Sequence, residues 1–172
     1  PESVRAANFM TKAAAEVCLA CCSHGGMALA ETPCSRAAGS NDAIPGCELH
    51  AYMFAFPTWK EFREMTDAVE FVIDQCTALD DPARAVSTGP KATAFLVSGN
   101  AAPFAEAIFK NKRCRHPKGT HRPIRGTDDK GVYLTAGTEV YSSRLCEWIA
   151  TVVKGWLGSL GVAVDRGEIT AM

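Results

Sequence analysis

Between residues 4 and 23 the chain is Ala-rich, contains no Pro or Gly and consists mostly of good helix formers, so it predicts a helix that His24-Gly25-Gly26 stops. Gly and Pro then punctuate 31–47 (Pro33, Gly39, Pro45, Gly46), which predicts a loop held by Cys34 and Cys47. Residues 48–56 are short and aromatic-rich and predict a strand, with Glu48, His50 and Tyr52 on one face because side chains alternate. Thr58 and Glu61 read as a capping box after Pro57. Phe62, Met65, Val69, Val72, Ile73 and Cys76 come next at helical spacing, so 58–79 predicts a helix ended by Asp80-Asp81-Pro82.

The second half continues the alternation. Residues 92–98 predict a buried strand, and Gly99-Asn100 turns the chain into a short helix over 101–110 with Phe104, Ile108 and Phe109 on one side. Residues 132–135 predict another strand. Thr138 is placed to cap a helix reaching about Trp156, with Tyr141, Leu145, Trp148, Ile149, Val152 and Trp156 as its apolar stripe. Gly158 and Gly161 close that helix, and 162–164 predict a last edge strand. This order predicts an α+β fold: a two-layer sandwich of about four helices on a small mixed sheet of three to four strands. An α/β fold of βαβ units is the alternative, because strands and helices alternate. The length of 172 residues suits a single domain over 1–172 with a true core.

Cysteine changes the picture. Cys18, Cys21, Cys22, Cys34, Cys47, Cys76, Cys114 and Cys146 form an even set spread along the chain, which reads as a disulfide framework and a secreted protein. Pro1-Glu2-Ser3-Val4-Arg5 does not read as a secretory leader, so secretion requires one outside this numbering. No apolar run approaches the ~18 residues of a membrane span, so no transmembrane segment is expected.

Charge changes it again. The net charge is −1, but 110–125 carries seven of the 18 Lys and Arg, two of the four His and no acid, which leaves 11 basic against 19 acidic residues elsewhere. A cationic loop on an acidic body points to an anionic partner: nucleic acid, polysaccharide, lipid surface or acidic protein. Arg113, Arg115, Lys118, Arg122 and Arg125 are the expected donors, Arg being suited to bidentate contact with oxyanions. The segment has no aromatic residue, which weighs against single-stranded nucleic acid.

Two constellations carry candidate chemistry. Cys18, Cys21 and Cys22 lie within one turn of each other near a helix end. There they could supply half of a zinc site completed by Cys114 and His116, although the dipole at that end would not activate a redox thiol. Glu48 and His50, with His116 or His121 and the nearby cations, contain the parts of a metal-free ribonuclease. No catalytic motif is complete. The leading expectation is therefore a secreted, disulfide-stabilised, effector- or toxin-like interaction protein without enzymatic activity, assigned no metal or cofactor. A small ribonuclease or other hydrolase and an intracellular zinc-binding protein are the alternatives.

Overall fold

The computed structural model describes residues 2–37, 39–40, 51–79, 91–117, 120–121 and 141–162. Four α-helices and a three-stranded sheet form there, α1 (Glu2–Ser23), β1 (Leu29–Pro33), α2 (Pro57–Thr66), β2 (Val69–Asp74), β3 (Ala92–Val97), α3 (Ala102–Phe109) and α4 (Ser143–Ser159). The architecture is α+β.

The sheet is built around β3. Its Ala-Thr-Ala-Phe-Leu-Val run is apolar on both faces, and all six residues are buried. Such a strand needs cover on both sides. It lies centrally in the order β1-β3-β2 and pairs antiparallel with both neighbours, Leu29 and Val69 each opposite Val97 and Glu31 and Phe71 each opposite Phe95. The described sheet is thus antiparallel where a mixed one was expected.

Helices cover both faces of this sheet, not one. Ala92, Ala94 and Leu96 point into a core shared with Ala15 of α1 and Trp59 and Phe62 of α2. Their neighbours Phe95 and Val97 point the other way, into a core with Ala105 and Phe109 of α3 and Leu145 and Val152 of α4. Phe95 stacks on Phe109 at 4.9 Å between centroids, while Trp59 meets both Phe54 and Phe62 edge-on. The α1 residues facing this core are Ala15, Cys18, Leu19 and Cys22, and Val4, Phe9, Met10 and Val17 are exposed.

Several expected elements are corrected. The helix expected over 58–79 ends at Thr66, where Asp67 adopts a left-handed conformation (φ 49°) and returns its N–H to the carbonyl of Arg63. The next element is β2, whose β-branched and aromatic Val-Glu-Phe-Val-Ile-Asp run prefers an extended chain. Met65 and Val69 are accordingly exposed, whereas Phe62, Ile73 and Cys76 are buried. Thr58 is not the cap of α2; the cap position is Phe56, with no side-chain hydrogen bond, and Pro57 occupies the first turn. Residues 31–33, expected to open a loop, belong to β1. Met53–Ala55 is a 3-10 turn instead of strand. Ser142 caps α4 by accepting the N–H of Leu145. The residues of the predicted 132–135 strand, Thr138, 48–50 and 163–164 lie outside the described residues.

Candidate metal centre

β2 ends on Asp74, and the chain bends at once into a 3-10 turn, Gln75–Ala78, that carries Cys76. This turn meets the segment leaving α3. Asn111, with φ at 64°, lies just beyond that helix and redirects the chain. The N–H of Asp74 then donates to the carbonyl of Lys112 at 2.8 Å, and the hydroxyl of Thr77 donates to the carbonyls of Asp74 and Lys112 at 2.7 and 3.3 Å.

The Asp74 carboxylate, 4% exposed, secures the next two residues. One oxygen accepts the N–H of Cys114 at 2.7 Å and the Nε–H of Arg113 at 2.9 Å. That fixes Cys114 beside Cys76. Two residues on, the N–H of His116 points at the Cys114 sulfur (3.4 Å), and the ring nitrogen Nδ1 of His116 lies 3.2 Å from it. After Pro117 the chain turns back, with Thr120 N–H donating to the Pro117 carbonyl, and brings Nε2 of His121 to 3.0 Å from the same sulfur. The two imidazoles are nearly perpendicular, with centroids 4.8 Å apart.

The outcome is a Cys76–Cys114–His116–His121 cluster whose four donor atoms all lie within 4.8 Å of one another. Donors around a tetrahedral zinc ion, with bonds of about 2.0–2.3 Å, stand roughly 3.3–3.8 Å apart, so small side-chain adjustments would suffice. Two sulfurs with two imidazole nitrogens is a set that selects zinc-class ions. Cys76 is buried and the other three ligands are half-buried, and all four vertices are protein donors. This is the composition of a closed structural site, not a catalytic one with an open position.

Burial, joined by the hydrogen bond and charge of Cys114 and the charge of Asp74, pushes the Cys76 thiol up to about 12. Such a thiol is a poor free nucleophile, but a divalent cation reverses the balance by supplying the missing positive charge. The second ring nitrogen of His121 is buried without a hydrogen-bond partner, so the ring's polar contact is with the cluster.

The structure brings together only part of the residues singled out in the sequence. Cys114, His116 and His121 meet, and Cys76 joins them. Cys18, Cys21 and Cys22 are absent from the cluster; Cys18 and Cys22 pack among the α1 residues on the opposite side of the sheet, so they do not complete a zinc site with Cys114 and His116. No disulfide joins Cys18, Cys21, Cys22, Cys76, Cys114 or Cys146, so the expected framework is not formed among them. Arg113 is tied to Asp74 and Arg115 is exposed, whereas Glu48, His50, Cys47, Lys118, Arg122 and Arg125 lie outside the described residues. Of the ribonuclease set only His116 and His121 are among the described residues, and both engage Cys114. Ser98-Gly99-Asn100 is a structural turn, the Ser98 hydroxyl accepting the Ala28 N–H and donating to Asn100.

Sequence reasoning missed Cys76 and His121 as members of this donor cluster. A signal for the latter exists in Cys114-x-His116-x4-His121, three soft or borderline donors within one short Pro- and Gly-containing segment. No protein-family model, curated protein or solved structure matches this chain.

Proposed function

We propose that this protein binds one zinc-class divalent cation through Cys76, Cys114, His116 and His121, and that the ion's role is structural. It fastens the start of the basic segment 110–125 to the end of β2. The observation that carries this reading is the convergence of four donor atoms, from two separate stretches of chain, within 4.8 Å. Because the ligands must be thiolates, the reading favours a reducing compartment over the secreted, disulfide-bonded one. An ion held this way would not itself be catalytic, since four protein donors leave no position for an activated water.

The test is metal analysis of protein purified without chelators, combined with thiol counting. One zinc per chain is expected in the wild type. Cys76→Ala and His121→Ala should each lose most of it while retaining the circular dichroism of the parent in excess zinc. A wild-type protein without stoichiometric metal, or one with Cys76 and Cys114 joined as a disulfide after reducing purification, would overturn the reading.

A further inference from the structure

The basic segment contains no aromatic platform of its own, but the fold supplies one. Trp148 of α4, half-buried, carries the ammonium of Lys112 over its ring at 4.7 Å from the centroid. A face covered by a long charged side chain, and not by packed core atoms, is one that a flat group can reach when that side chain swings aside. Lys112 is two residues from Cys114, so the metal cluster that holds Cys114 also sets this cation over this ring.

The surrounding charge is one-sided. Lys110 is neutralised by Glu106 at 2.9 Å and Arg113 by Asp74 at 2.9 Å. Among the described residues no carboxylate pairs with Lys112 or with the exposed Arg115. Over the whole chain the segment adds seven positive charges to a body carrying 11 basic and 19 acidic residues. On balance such a body disfavours polyanions away from this segment.

We infer that Lys112, Arg115 and Trp148 form a binding site for single-stranded nucleic acid, in which a base stacks on Trp148 while Lys112 and Arg115 take the flanking phosphates. The inference rests on the metal reading, because the ion fastens Cys114, two residues from Lys112, to the turn after β2. The combination distinguishes this ligand from other polyanions: a sulfated polysaccharide or a lipid headgroup answers the cations but has no flat base for the indole.

The experiment is fluorescence anisotropy of the metal-analysed full chain with a fluorescein-labelled oligouridine of about 12 nucleotides, titrated against salt. Changing Lys112 and Arg115 together to Ala should weaken binding and flatten the log–log salt slope by about 1.4, roughly 0.7 for each lost phosphate contact. Trp148→Ala should weaken binding roughly five- to a hundredfold and leave the slope unchanged, while Trp148→Phe, which keeps a ring, should recover most of it. Lys12→Ala on α1 is the control and should change nothing. No binding at low salt overturns the inference, and so does wild-type affinity in Trp148→Ala. Heparin and phosphatidylserine vesicles should bind Trp148→Ala as well as they bind the wild type; a loss of heparin or vesicle binding in Trp148→Ala equal to the loss of oligouridine binding would also overturn it. The metal content of each preparation separates the two readings: a protein with one zinc that ignores the oligonucleotide fails only here, and one without zinc fails the metal reading whatever it binds.

Discussion

The buried carboxylate of Asp74 accepts the backbone N–H of Cys114 at 2.7 Å across 40 residues of sequence. The same oxygen takes the Arg113 guanidinium at 2.9 Å. One side chain thus positions a ligand without being one, as outer partners of metal sites do. Asp74→Ala is expected to cost about 1.5–3 kcal/mol of stability, the range for hydrogen bonds to a charged group, and to lower zinc affinity about 10–100-fold. Asp74→Asn, which keeps an acceptor oxygen but not the charge, should cost less. Urea denaturation and chelator competition on the same preparations measure both effects.

Metal removal should destabilise the protein reversibly. Chelation is expected to lower the melting temperature of the wild type, and added zinc to restore it. Cys114→Ser should melt at or below the chelated value and be insensitive to chelator. Scanning calorimetry of the two proteins with and without chelator checks this; an identical wild-type transition in both conditions would show that the cluster is not a staple.

The helix caps are expected to respond differently from one another. Thr58→Ala should change stability by no more than about 0.5 kcal/mol because the side chain caps nothing. Ser142→Ala should cost about 0.5–2 kcal/mol, since its hydroxyl accepts the Leu145 N–H at 3.2 Å and also donates to the Ala78 carbonyl at 2.9 Å. Phe62→Ala, at a fully buried ring, should cost about 3–5 kcal/mol. Denaturant curves for the three variants give this ranking directly.

The thiols should alkylate in a defined order. Burial raises the Cys18 thiol above its ordinary value, with Cys22 and Cys21 adding to the shift, and burial also raises Cys22. Raised values mean less thiolate at about pH 8, hence slower reaction. Cys146 is exposed and should react with iodoacetamide before Cys18 and Cys22. In zinc-loaded protein Cys76 and Cys114 should be protected until chelator is added. Peptide mass mapping over time reads out the order.

Where local composition and tertiary environment agree, the chain is readable. The Ala-rich run forms α1, the continuous apolar run forms β3, and the stripe from Leu145 to Val152 is the buried face of α4. The 58–79 segment misleads because Phe62, Ile73 and Cys76 are all buried and fall at helical spacing by coincidence, two of them beyond the end of the helix. The β-branched and aromatic run after Asp67 is the competing signal, and it wins because β2 can pair with β3. That error hides the cluster member Cys76, which looks like one more residue of a helical stripe. His121 is hidden differently: nothing in a run of basic residues says which imidazole folds back on Cys114. Trp148 is invisible as a neighbour of Lys112 because 36 residues separate them and only the packing of α4 against α3 brings them together.

Cys76 and Cys114 are 38 positions apart, and the chain between them includes β3 and α3. An ion joining them would turn that stretch into a closed ring. For a covalent link enclosing a ring of this size, the conformations denied to the unfolded chain are worth about 4 kcal/mol. The ring contains the central strand of the sheet, so its closure would restrict the unfolded search to arrangements in which the stretch carrying β3 leaves from, and returns to, the end of β2. Coordination would thereby impose the topological restraint that an S–S bond imposes in an oxidising compartment, and would do so with the thiols reduced.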